Sequence, residues 1–237
     1  MRILAIDSAA KAASCALTDG ERLIAQSFQN SGLTHSATLL PMVEDMLKNC
    51  GQTLADVECV AVSHGPGSFT GLRIGVATAK GLAWAGGLPC AGCSSLEALA
   101  WSLCHMEGRE ICAVMDARRG QVYRGRFLAT GDGLERLAED GAVSLEELEK
   151  ELKNPQIFVG DGAQLCYNEL KDGPCPLTLA PPQLRFPTAW GVARCAVELA
   201  QRGLLVSPED LSIRYHRLSQ AERERQERLQ REQAAEA

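Results

Sequence analysis

The chain has 237 residues, 46% of them hydrophobic, and a formal net charge of −6. That length supports one or two compact units with ample core. The acidic balance excludes a global pull toward nucleic acid, so any RNA contact has to be local or borrowed from a partner.

The opening run Met1 to Asp7 reaches an acid before a signal-peptide core is complete, and the most apolar stretch, residues 74–88, is broken by Lys80 and several glycines. A membrane span needs about 18 consecutive apolar residues, so a cytosolic protein with no membrane partner is expected. Residues 3–7 and 13–18 run apolar, Asp19-Gly20 suits a type I′ turn, and residues 22–28 continue the alternation, which predicts a three-stranded antiparallel meander. A helix follows, with Ser36 placed to cap it and Gly51 to end it. Leu39, Leu40, Met42, Val43, Met46, Leu47 and Cys50 lie between at helical spacing, and Pro41 should kink its first part. Residues 57–63 read as a buried strand, and Gly65-Pro66-Gly67 turns the chain into a long helix of small residues over about 69–86.

The second half repeats this order. Strands are expected at 111–115 and 121–128, a weak third near Leu134, a helix near 145–152, a strand at 156–159 and a helix at 163–170. A further amphipathic helix at 188–201 follows a proline-rich loop and is expected to pack on the second lobe. A duplicated β-β-β-α-β-α unit is the architecture of the actin, sugar-kinase and Hsp70 (ASKHA) class, an α/β fold in which two lobes flank a nucleotide cleft. The expected domains are a first lobe at 1–107 with partner-binding helices, a second at 108–215, and a charged tail at 216–237, where Arg and Glu alternate as in a frayed helix.

Ten cysteines are scattered through apolar runs, and only Cys90 and Cys93 form a CxxC pair. With no second pair and no nearby histidine, the packed-thiol reading is preferred to zinc or redox chemistry.

The junction from Gly65 to Gly75 is the most informative segment. A strand end, a glycine turn and a helix N-terminus together present unpaired N–H groups, so Asp7, Ser8, Gly65, Gly67 and Ser68 are candidates for a nucleotide or anion site. Tight packing of backbone explains the same glycines equally well. Within that helix Gly71, Gly75 and Ala79 recur every four residues and leave one face without side chains, inviting a close neighbour that is either internal or another subunit. The preceding helix carries an apolar arc of about 160°, wider than the usual minimum stripe. Leu39, Met42, Met46, Gly71, Arg73, Gly75, Thr78 and Ala79 are therefore the candidate partner-binding residues, with ordinary core the competing account of the two methionines.

Asp7 and Asp116, at the ends of equivalent strands, could hold a hydrated Mg²⁺, but Ala117, Arg118 and Arg119 follow Asp116 where phosphate binding wants small residues. Gly160-Asp161-Gly162 is a faint echo of an adenosine-binding turn. Arg118, Arg119, Arg124 and Arg126 form a basic cluster, read as a solvated strand face in preference to a contact with tRNA phosphates or a partner's carboxylates.

Residues 3–8, Thr34-His35-Ser36 with Leu40-Pro41, and the run from Gly65 to Leu82 together resemble the TsaB (YeaZ) family. Residues 114–119 with Val122-Tyr123, Gly160 to Ala163, Tyr215-His216-Arg217 and Gln220-Ala221-Glu222 are similar to its later landmarks. The resemblance implies an ASKHA fold and a subunit that pairs with a homologous catalytic protein, TsaD, and with the ATPase TsaE. That assembly transfers a threonylcarbamoyl group to the adenosine beside the anticodon of tRNAs reading codons that begin with A. No catalytic residue, metal or certain cofactor is implied for this chain; ATP or ADP at the partner interface and a homodimer of the free protein are the associated expectations. The catalytic relative carries a metal-holding HxxxH helix, whereas this chain has only His35 near that helix. The competing readings are an active ASKHA ATPase, sugar kinase or carbamoyltransferase using Asp7 and the Gly65 turn, and a metallopeptidase.

Overall fold

A computed structural model describes residues 1–217. Strand β1 (Arg2–Asp7) lies at the centre of the first sheet, antiparallel to β2 (Ala13–Asp19) and parallel to β4 (Cys59–Gly65). Helices cover both faces of this sheet, which is why β1 reads as a continuous apolar run. Alternate residues divide between two cores. Leu4 and Ile6 pack under α1 (His35–Asn49) and α2 (Phe69–Gly86), and Ile3 and Ala5 pack under α6 (Ala189–Gln201).

Strands β3 (Arg22–Gln29) and β5 (Cys90–Ser94) complete the order β3-β2-β1-β4-β5. The second sheet is built from β6 (Glu110–Arg118), β7 (Gln121–Ala129), β8 (Leu134–Ser144), β9 (Gln156–Val159) and β10 (Leu177–Leu179), in the order β10-β9-β6-β7-β8. With α4 (Leu145–Glu151) and α5 (Ala163–Leu170), the two halves carry the same β-β-β-α-β-α order and the same spatial strand sequence, the duplicated ASKHA architecture. No helix among the described residues is long and apolar enough to cross a membrane.

Several local expectations need correction. The β2–β3 loop is Gly20-Glu21, since Asp19 pairs with Arg22, and only Gly20 has positive φ. A type I′ turn requires positive φ at both central residues, so glycine at the first of the two fits type II′. Helix α1 begins one residue before Ser36, with Thr34 as N-cap and no side-chain cap bond; its last turn closes at Cys50, followed by Gly51 at φ +62. The third strand of the second half is eleven residues long, and β5, β10 and the short helix α3 (Ser95–Ala100) were not foreseen.

Helix α6 packs on the first sheet, not on the second lobe. Its Ala189, Val192, Ala193 and Ala196 sit against Ile3, Ala5, Ala16, Cys59 and Ala61. It can reach that depth because Gly191 lets the backbone of α3 approach: a Cβ there would lie 2.2 Å from the Ala98 carbonyl oxygen.

Arg124 and Arg126 are not a solvated face. Arg124 is buried, bonded to the Glu139 carbonyl (2.7 Å) and paired with Glu151; Arg126 pairs with Glu110 at 2.8 Å. Cys90 and Cys93 are buried on β5, and burial pushes the Cys90 thiol up to about 11, the behaviour of a packed thiol. Beyond α6, residues 204–217 form a strap. Val206 pairs antiparallel with Cys90, the Arg214 N–H donates to the His64 carbonyl (2.9 Å), and Leu211 is buried. The charged tail expected at 216–237 lies outside the described residues from residue 218 onward.

Two glycine substitutions separate packing from helix propensity. Gly191→Ala drives a methyl into the α3 backbone and should destabilise by about 2 kcal/mol or more. Gly81→Ala, where nothing lies within 4 Å of the added methyl, should stabilise by about 0.5–1 kcal/mol. Urea unfolding of both variants checks the pair.

Candidate functional site

Between the lobes lies a cleft of about 820 Å³. Its walls come from the β1–β2 loop, the β3–α1 loop, the β4–α2 junction, the β6–β7 hairpin, the β9–α5 turn and the strap, which bring together Lys11, Phe69, Asp116, Arg118, Asp161 and Tyr215. Asp7 ends β1 but is fully buried beneath the cleft rather than lining it. Its Oδ1 accepts the Ala9 N–H at 3.3 Å, while Oδ2 has no bond of ordinary geometry, although the Ser63 hydroxyl lies beside it. Burial pushes this carboxyl up to about 6, against the opposing pull of Ser63, the Ala9 N–H and His35. Asp116, its counterpart on β6, is exposed and accepts the Arg118 N–H at 2.7 Å; Asp161 accepts the Asp116 N–H at 3.0 Å. The two aspartates at equivalent strand ends thus sit in different environments, one dry and one wet.

The glycine-rich junction is spent on packing. A Cβ at Gly65 would lie 2.3 Å from the Arg214 carbonyl oxygen, at Gly67 2.4 Å from that of Ala9, and at Gly71 2.1 Å from that of Ser8. Gly75 faces the Ser8 Oγ at 2.3 Å on the same measure. Gly65 also has φ +139, a conformation that only glycine adopts freely. The Ser8 hydroxyl donates to the Gly71 carbonyl (2.9 Å), the Ser68 N–H donates to Ala9 (2.7 Å), and the Ser68 hydroxyl caps α2 by accepting from Gly71. These contacts account for the glycines by packing, while Gly67, Ser68 and Gly71 still line the cleft. Gly160 behaves alike: a Cβ there would meet the Val114 carbonyl oxygen at 1.8 Å.

The stripe of small residues on α2 faces inward. Gly71, Gly75 and Ala79 are buried, as are Leu39 and Met46 on α1, where the Met46 sulfur lies 3.7 Å from the Cys15 sulfur. Met42 and Thr78 are half-buried, and of the eight expected partner-binding residues Arg73 alone is exposed. The neighbour of that stripe is internal.

The opposite face was missed. Arg73, Ala77, Gly81 and Trp84 are all exposed, Trp84 by 66%, and Leu33 just before α1 and Leu40 on it are 62% and 43% exposed. Their spacing of three and four was available in the sequence, but α2 has small residues on both sides, so periodicity did not say which side is inside. The strap was missed as well. Tyr215, 47% exposed, stacks on Phe69 with centroids 4.8 Å apart, and the Arg73 guanidinium lies over the other ring system, 3.9 Å from the Phe69 centroid, with its Nε donating to the Tyr215 hydroxyl (3.2 Å).

Residues 29–175 match the family model described as TsaD, tRNA N6-adenosine threonylcarbamoyltransferase. The chain is 37% identical to the tRNA threonylcarbamoyladenosine biosynthesis protein TsaB of Bacillus subtilis, over 73% of this chain and 76% of that one. It is 34% identical to the protein of the same description from Escherichia coli, over 88% and 91%. The solved structure of YeaZ from Pseudomonas aeruginosa superposes with a TM-score of 0.79 at 28% identity, covering 90% of this chain and 99% of that one.

Asp7 and His64 act on stability with opposite signs. Asp7 has a folded pKa of about 6 against 3.8, so its ionisation opposes folding: the stability it allows at low pH is lost as pH rises toward 6, about 3 kcal/mol in all. His64, buried, is held down at about 4, mainly by burial and then by the Arg214 charge; its contribution is full above its ordinary value of 6.5 and is lost as pH falls toward 4. Asp7→Asn should therefore stabilise by about 3 kcal/mol near pH 7.5 and by almost nothing below about pH 4, exposing a steeper acid loss due to His64. Denaturant titrations at the two pH values test this; an equal gain at both would remove the buried charge as its cause.

Proposed function

The chain belongs to the TsaB (YeaZ) family of tRNA threonylcarbamoyladenosine biosynthesis proteins, and on that premise we propose that it is a non-catalytic subunit that pairs with a TsaD homologue through the outward face of α2. The observation that carries this reading is that face. Arg73, Ala77, Gly81 and Trp84 fall within an arc of about 80° at roughly 100° per residue, all exposed, with a bare strip between a tryptophan and an arginine. A helix offering small residues flanked by Trp and Arg lets a second helix approach closely and gives it the two side chains most often found to dominate interface energies. Leu33 and Leu40 extend the surface toward α1.

In this role the chain supports threonylcarbamoyl transfer to the adenosine beside the anticodon of tRNAs reading codons that begin with A, and helps the TsaE ATPase to engage. Chemistry stays with the partner. The same α2 face accounts for a homodimer when the partner is absent. Against an independent ATPase stands the hairpin after Asp116, where Ala117, Arg118 and Arg119 stand in place of the small residues that let phosphate approach the backbone.

Ala77→Glu places a charge in the middle of the proposed contact without touching the core. It should weaken co-elution with the TsaD homologue by about 2–4 kcal/mol, roughly thirty- to a thousandfold, and leave thermal unfolding unchanged. Gly75→Glu, by contrast, would strike Ser8 and test the fold. Reconstitution of the modification with and without this chain gives the functional readout. Undiminished co-elution of the Ala77 variant, or full product without the chain, would overturn the proposal.

A further inference from the structure

We propose that the mouth of the interlobe cleft is a contact site for single-stranded RNA, in which Lys11, Arg118, Arg119 and Arg214 meet phosphates and Tyr215 offers its ring to a base. Three segments far apart in sequence, the β1–β2 loop, the β6–β7 hairpin and the strap, bring Lys11, Arg118, Arg214 and Tyr215 to the cleft lining, and Arg119 adjoins Arg118 in the hairpin loop. All four cations are exposed, and among the described residues none is in a salt bridge. Elsewhere in the second lobe the arginines of β7 and β8, Arg124, Arg126 and Arg136, are each paired with a carboxylate. The cleft's own acids, Asp116 and Asp161, accept the Arg118 and Asp116 N–H groups and keep their charge, with Lys11 acting on Asp161, but the four cations outnumber these two carboxylates. A chain with net charge −6 thus keeps a local excess of positive charge, none of it in a salt bridge among the described residues, at one opening.

The hairpin turn supplies the second argument. Arg118 pairs with Gln121, so Arg119-Gly120 is the loop, and Arg118, Arg119 and Gly120 have φ values of +63, +56 and +71. Positive φ at both loop residues is the type I′ signature, whose favoured sequence is Asn-Gly. Arginine carries a steric penalty in that conformation which asparagine and glycine largely escape. Two successive arginines in the left-handed region are therefore poor choices for the turn, and strain of this kind concentrates at functional sites.

The third argument concerns the form of the ligand. The cations named here border a wide trough instead of converging on the glycine junction. Phosphates have to be met by long, exposed side chains around an open trough, beside an aromatic ring, which is how proteins track a single strand. This inference deepens the subunit role above and rests on it for the RNA's identity as tRNA, but its binding test does not need the partner.

The experiment titrates the full-length protein against a fluorescein-labelled single-stranded oligoribonucleotide over a range of salt concentrations, with a polyglutamate peptide as a second probe. Four phosphate contacts predict a slope of log K on log salt of about −3, falling to about −1.5 in the double variant Arg118→Asn with Arg119→Asn. Because asparagine suits the turn, that variant should bind more weakly while its thermal midpoint stays level or rises. Tyr215→Ala should cost about tenfold in affinity. Co-elution with the TsaD homologue should be unaffected by the double variant, so loss of RNA binding and loss of partner binding are read separately. A slope that the arginine substitutions leave unchanged, a Tyr215 variant that binds RNA normally, or polyglutamate binding as tightly as RNA would each overturn the proposal.

Discussion

Carbonyl oxygens pressed against glycine Cα atoms set the geometry on which the rest of the molecule depends. At Gly65, Gly71, Gly160 and Gly191 the oxygen of another segment occupies the place where a side chain would begin. Each contact brings two backbones to a separation that only a hydrogen on Cα permits, with weak C–H···O attraction as a secondary gain. Through them α2 lies on the end of β1, the strap crosses the end of β4, the β9–α5 turn closes on β6, and α6 sinks beside α3. The lobes are held by fit at these points.

That constraint bears on function through what it removes. Glycines at a strand-to-helix junction ordinarily suggest a loop kept bare for phosphate, and in this chain the same bareness also lets backbones pack. Asp7 survives beneath the junction as a buried carboxyl whose ionisation works against stability. Its duplicate, Asp116, sits exposed in a hairpin whose residues are too large for a phosphate loop. The duplicated architecture thus retains the strand ends of a nucleotide-binding cleft while the groups around them have been turned to packing and to surface charge.

Much of the fold was legible. The bounds of β9 and α5 and of the long helix α2 followed directly from spacing, because glycine, proline and the change between periods of two and 3.6 mark such boundaries. Less visible were β5, hidden by its small residues Cys90, Ala91, Gly92 and Cys93, and the three-residue β10 inside a proline-rich loop. The site was less legible than the fold. Periodicity assigns residues to a face, yet it gives no direction when both faces are small, so it leaves the neighbour of Gly71, Gly75 and Ala79 open between the chain's own core and another subunit and does not single out Ala77 and Gly81. Arg124 and Arg126 illustrate the same limit: their carboxylate partners, Glu151 and Glu110, are 27 and 16 residues away, beyond any local pattern.

The exposed face of α2 proposed for a partner and the cleft mouth share side chains. Arg73 belongs to the exposed arc of α2, yet its guanidinium lies over Phe69 and its Nε donates to Tyr215, the aromatic ring at the cleft rim. The strap that carries Tyr215 continues to Arg217, which donates to the carbonyls of Ala117 and Arg118 in the second lobe. A protein seated on α2 therefore adjoins the same side chains that border the trough, and any change it imposes on Arg73 acts on the strap at a point between the two lobes. Coupling of this kind needs no long pathway, since one arginine and one tyrosine connect the surfaces through a single hydrogen bond and a stacked ring.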